Sequence, residues 1–291
     1  MKSIIHTLGL LIAIMIPSAS GAVMPGEVRW HNESADTTRV TRLLVEVNDA
    51  GLADDGELVA AIAQRFLDTP YASNTLESSP EMLTVNLEGL DCTTFVETVV
   101  AAALTLKEGR QAWQDFVYNL GNIRYRQGVV NGYTSRLHYV SDWIVDNSHR
   151  GNITDVTPRL PGVAYAVKTL DFMTRHRESY PVLADSVEYE RMKNCEIGYR
   201  SHRYPYVRSS ALSGKWATEN LHTGDIIAFT TKIQGLDVSH IGIIMMRSDG
   251  PHLLHASSKA GRVTEESRPL AEYLRKNTSI TGARILRIGQ R

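Results

Sequence analysis

Cysteine is scarce in this chain, with only 2 in 291 residues, at Cys92 and Cys195. Two thiols can make one bridge, which excludes a disulfide-stapled scaffold, and that bridge would silence both. At least one is therefore expected to be a free thiol kept for chemistry. An excess of charge is also missing. Lys and Arg number 31 against 32 Asp and Glu. That balance gives no electrostatic footing for nucleic acid or for an anionic membrane surface. No His-Glu-x-x-His or Cys-x-x-Cys occurs, which disfavours a zinc hydrolase. Neither a Gly-x-Ser-x-Gly elbow nor a phosphate-cradling glycine loop is present. No metal and no cofactor is expected, and there is no internal repeat or low-complexity tract.

Long apolar runs are missing too, except at the start. Lys2 and His6 precede an apolar stretch from Leu8 to Ile16, and Pro17 to Ala22 is rich in small residues. Residues 1–22 read as a secretory signal peptide, too short for a stable membrane span. Cleavage after Ala22 removes Lys2 and no acid, leaving a net charge of −2. Export to the periplasm is expected. Residues 23–291 are then expected to form a single domain.

What is present falls into two halves. Val23 to Ser34 reads as irregular. Asp36 to Asn48 reads as a helix with Val40, Leu43, Leu44 and Val47 inward, and Asp55 to Leu67 as a second helix, stopped by Pro70. Met82 to Leu87 fits a short strand and Gln111 to Leu120 a further helix. Pro158 to Tyr199 mixes helix and loop, and Tyr199 to Tyr206 reads as a loop. From Leu221 onward the pattern turns to strands at 226–229, 240–246, 252–256, 261–263 and 284–288, separated by short glycine-containing turns. Helices first and strands later predict an α+β fold with an antiparallel sheet packed by helices.

The stretch Gly89-Leu90-Asp91-Cys92-Thr93-Thr94-Phe95-Val96 opens an apolar helical run. Asp91 suits the N-cap, which puts Cys92 in the first turn. There the unpaired backbone N–H groups and the helix dipole favour negative charge and predict a lowered thiol pKa. A thiol nucleophile needs a base, and the base an orienting partner. His240 opens one predicted strand and His255 lies near the end of the next. Two antiparallel strands joined by a tight turn bring such positions side by side. The expected site has the Cys92 sulfur facing one nitrogen of His240, with His255 holding the other. The Cys92 N–H is the candidate oxyanion donor. Asn131 to Trp143 concentrates Tyr, Arg, His, Asp and Trp in a loop-like context suited to binding. Tyr71, Arg136, Tyr139, Asp142 and Trp143 are the candidate substrate-binding residues. Arg136 is expected to grip a carboxylate and Asp142 a free amine.

At these residues the chain resembles the NlpC/P60 cell-wall cysteine hydrolases. The Asp91-Cys92-Thr93-Thr94-Phe95-Val96 stretch is similar to that family's Asp-Cys-Ser-Gly-Phe-Val. Gly224-Asp225-Ile226-Ile227, His240-Ile241-Gly242-Ile243 and Leu254-His255-Ala256-Ser257 resemble its three strand motifs in order. Thr93-Thr94 departs from the pattern, and nearly 150 residues separate Cys92 from His240. The insertion, at about 107–220, together with Thr69-Pro70-Tyr71, resembles the DUF1460 branch. The resemblance implies a papain-like NlpC/P60 core with the catalytic Cys at a helix N-terminus and a large helical and loop insertion. It also implies N-acetylmuramoyl-L-alanine amidase activity on (anhydro-)muropeptides through Cys92, His240 and His255. A muropeptide or peptidoglycan fragment is the expected partner. Three readings stay open beside it: a D-Glu–diaminopimelate endopeptidase, a non-catalytic periplasmic muropeptide-binding module and a thiol acyltransferase.

Overall fold

The computed structural model describes residues 28–52 and 54–289; the expected leader, residues 1–22, lies outside them. In chain order the elements are β1 (Val28–Trp30), α1 (Glu33–Asp49), α2 (Asp55–Gln64), β2 (Leu83–Val85), α3 (Cys92–Lys107), α4 (Trp113–Arg124) and α5 (Val140–His149). They continue with β3 (Ile153–Asp155), β4 (Ala164–Lys168), α6 (Phe172–Arg175), α7 (Ser186–Ile197), β5 (His202–Arg208) and α8 (Gly214–Asn220). The chain closes with β6 (Ile226–Thr231), β7 (Val238–Arg247), β8 (Gly250–Ser257), β9 (Arg262–Glu265), α9 (Leu270–Lys276) and β10 (Ile280–Ile288).

Period-two alternation in β6, β7, β8 and β10 makes a sheet that is buried on both faces. Strand order is β4-β5-β10-β6-β7-β8-β9, all pairs antiparallel, and β3 adds to the outer side of β10. Ile226, Ala228, Ile241, Ile243 and Leu254 pack with the apolar sides of α1 to α4. Their neighbours Ile227, Phe229, Ile244 and Leu253 point the other way, onto Ala217 of α8 and Leu270 and Leu274 of α9. Helices therefore cover the sheet on both faces. Among the described residues no helix is long and apolar enough to cross a membrane.

Three stretches depart from the sequence reading. Val28–Trp30 is a strand parallel to β2, and the following helix begins at Glu33. Asn131 to Trp143 is not an open loop. It holds a short turn of 3-10 helix at Tyr133–Ser135 and then enters α5. Tyr199 to Tyr206 runs into strand β5, which carries Pro205 opposite Tyr165 of the edge strand β4. An edge-side position is where a strand tolerates proline. The segment between α3 and β6 thus contributes three strands to the same sheet.

Candidate active site

Asp91 is the N-cap of α3. Its Oδ1 accepts the Thr94 N–H at 2.8 Å, and its own N–H donates to Thr94 Oγ1 at 2.9 Å, closing a capping box. The threonine that departs from the family pattern supplies the returning half of that box. Cys92 is thereby fixed at the first helical position. Both cysteines are free thiols.

The sulfur sits at a gap in the sheet. Pairing between β7 and β8 runs from Arg247–Gly250 only as far as Ile243–Leu254. Beyond that rung the backbone N–H of Ile241 turns to the Cys92 sulfur, and the Thr93 hydroxyl lies 4.0 Å from it. Gly242 stands at this gap. A Cβ there would lie 2.8 Å from Leu253 Cδ1 and 2.9 Å from the Leu254 carbonyl oxygen. A side chain would press on the strand that carries His255.

His240, one residue before Ile241, points to the opposite face. Its ring stacks on Phe229, with centroids 6.1 Å apart and planes within 7°. Its Nε2 is 2.5 Å from His255 Nδ1. His255 Nε2 is in turn 3.2 Å from Glu266 Oε1. Tyr273 of α9 meets the His255 ring edge-on, and both Glu266 and Cys92 act on its phenol. The thiol thus comes from the α3 layer, held by the Ile241 N–H, and the imidazoles stand on the α9 side of β7 and β8. A groove of about 610 Å³ opens beside the two imidazoles, lined by His240, His255, Lys259, Glu266, Tyr273 and Lys276 among others, and Cys92 is not part of its wall. A larger cavity of about 760 Å³, lined by Asp54, Thr218, His222 and Arg287, contains neither the thiol nor the imidazole pair.

The electrostatics correct one expectation. Burial, followed by the Asp91 carboxylate, pushes the Cys92 thiol up to about 11. The backbone N–H of Thr93 in the first turn pulls the other way but is outweighed by burial. Burial and then the neighbouring His255 push His240 down to about 3, and burial alone takes His255 down to about 4. Thiol and imidazoles are therefore all neutral at neutral pH.

Of the five candidate binding residues, the structure brings only Tyr71 to the thiol. Its backbone pairs with Leu90, and burial, Cys92 and Asp91 raise its phenol. The structure does not bring the other four to the thiol, and their side chains are engaged in internal contacts. Arg136 is buried, with its Nη2 2.8 Å from Glu77 Oε1, its Nε 3.2 Å from Glu81 and its guanidinium over the Tyr133 ring. Tyr139 donates to Glu196 at 2.7 Å and accepts the Met173 N–H. Asp142 is held by both Arg126 nitrogens, at 2.8 and 2.5 Å, and by the Tyr199 hydroxyl. Trp143 lies in the main core. Conversely, Glu266 and Tyr273 were missed, because only the β8–β9 register and α9 bring them to the histidines.

Comparison with known proteins places the chain in a family. Residues 61–281 match the family model described as AmiA-like, N-acetylmuramoyl-L-alanine amidase-like. A solved N-acetylmuramoyl-L-alanine amidase from Bacteroides uniformis is 36% identical, with a TM-score of 0.75, over 81% of this chain and 99% of that one. A suspected xylanase from Bacteroides fragilis is 39% identical, with a TM-score of 0.71, over 78% and 99%. A DUF1460 protein from Legionella pneumophila shares the fold at 21% identity, with a TM-score of 0.68, over 89% and 97%. No curated protein matches. Fold and comparisons together define a hydrolase of the amidase type. More narrowly, the chain belongs to the AmiA-like, N-acetylmuramoyl-L-alanine amidase-like family, and its resemblance to DUF1460 proteins holds.

Proposed function

We propose that this chain is an exported, single-domain cysteine amidase with an NlpC/P60-like core, cleaving the lactyl–L-Ala amide of (anhydro-)muropeptides in the periplasm. The observation that carries the reading is the hydrogen-bonded pair His240 and His255 at the sheet gap that Cys92 enters. With Nε2 committed to His255, His240 keeps Nδ1 for the thiol. The thiol starts protonated, so attack on the amide carbonyl is coupled to proton transfer from sulfur to Nδ1. The backbone N–H of Cys92, at the open end of α3, faces the developing oxyanion. The imidazolium then protonates the leaving amine, and the acyl-enzyme is released by water that passes its proton to His240. Tyr71, beside the sulfur, is the proposed substrate contact.

The test is product analysis by mass spectrometry. Wild type releases free stem peptide from the sugar, and Cys92→Ala does not. Cleavage after D-Glu would move the bond to the endopeptidase alternative. Equal turnover by the variant would remove the thiol mechanism.

A further inference from the structure

Glu266 lies just beyond β9, and its backbone is pinned on both sides. Its N–H donates to the Leu253 carbonyl at 2.8 Å, and its own carbonyl is 2.8 Å from His252 Nδ1. The side chain is thereby presented to His255, with Oε1 3.2 Å from Nε2. A carboxylate can only accept a hydrogen bond. The proton must then sit on His255 Nε2. A neutral imidazole carries one N–H, so His255 Nδ1 is a bare acceptor. Across the 2.5 Å contact, His240 Nε2 must be the donor. That leaves His240 Nδ1 without a proton, which is the state a base toward the thiol requires. Take Glu266 away and the chain of imidazoles can run the other way. His255 Nδ1–H would donate to His240 Nε2, and the proton on His240 Nδ1 would block it as a base.

We propose that Glu266 is a positioning residue that sets the direction of the His255–His240 hydrogen-bond chain and so keeps Nδ1 of His240 bare. The proposal rests on the reading of His240 as the base for Cys92. It goes beyond a Cys-His-His site by adding a carboxylate that acts on His240 through His255, by tautomer choice.

The experiment compares Glu266→Gln, Glu266→Leu and Glu266→Lys. Gln can still present an acceptor, Leu nothing, and Lys only donors. Heteronuclear NMR of ¹⁵N-histidine-labelled protein reads the protonated nitrogen of each ring directly and needs no substrate. Wild type is expected to carry both protons on Nε2. The Lys variant is expected to show them moved to Nδ1 on both rings. Turnover of the muropeptide substrate should fall in the order Gln, Leu, Lys. The loss should reach about ten- to a hundred-fold in kcat for Lys, as for other outer partners that orient a working histidine, with KM nearly unchanged. His240 keeping its tautomer in the Lys variant overturns the proposal, as does a kcat equal in Gln and Lys. The same spectra taken on a Cys92→Ala background separate this outcome from any failure of the amidase reading.

Discussion

Cys92, the proposed nucleophile, is a half-buried thiol held in its protonated form. A helix N-terminus alone argues for a thiolate. Here burial outweighs it, and the Asp91 carboxylate that caps the helix adds to the rise. Alkylation of Cys92 by iodoacetamide, measured in a Cys195→Ser background, should therefore climb through a midpoint near 11. A plateau already reached at neutral pH would contradict this. Asp91→Asn keeps a good N-cap while removing the charge, so it should speed alkylation at mildly alkaline pH. The position of the thiol was readable from Asp91, Cys92 and the apolar run behind them. Its ionisation was not, because its surroundings are completed by β7, far away in sequence. The same reason explains Arg136 and Asp142. Charged side chains in a polar stretch look available for a ligand until their partners Glu77, Glu81 and Arg126 are seen beside them.

At the scale of elements, α3 is anchored by a charge inside the core. Arg124 of α4 donates to Glu97 Oε2 at 2.6 Å and to the Thr84 carbonyl of β2 at 2.6 Å, and both side chains are almost wholly buried. Burial raises the Glu97 carboxyl, while Arg124 pulls the other way. Glu97→Ala strands the guanidinium, and urea unfolding should show a loss of roughly 3–5 kcal/mol. A loss within ordinary surface values would mean that the pair contributes nothing. Element types with a clear period were legible: α1, α2, α3 and the meander β6 to β9 follow their apolar spacing. Strand β5 was not, since His202 to Arg208 is rich in charge and contains Pro205, and only pairing with β4 and β10 makes it a strand. Nor was α9, a helix of 7 residues whose Leu270 and Leu274 have meaning only under the sheet.

For the whole molecule, the partly or wholly buried imidazoles shape the response to acid. Burial holds His138, His202, His240 and His255 below the ordinary histidine range. The unfolded chain takes up these protons as pH falls through about 6.5. The folded chain does not, so stability present above that value is lost on acidification. Asp36, Glu81 and Glu97, raised by burial, act with the opposite sign. By pH 5 each histidine still held neutral costs roughly 2 kcal/mol. The Tm should therefore fall between pH 7 and pH 5, and a His240→Gln, His255→Gln double variant should fall less. An unchanged difference would show that these rings are not held neutral in the fold.

The last strand in the sequence, β10, sits in the middle of the sheet, with β6 on one side and β5 and β3 on the other. A chain is made from its N-terminus, so Cys92 exists long before the strand that joins the two parts of the sheet. Until β10 arrives, β3 and the β4–β5 pair have no partner in the rest of the sheet, and the layer that carries His240 and His255 is unfinished. Folding of such long-range pairings waits for the distant segment. The proposed nucleophile and base therefore reach their final setting only once β10 is in place, and a chain stopped before residue 280 is expected to hold the thiol beside an unfinished sheet.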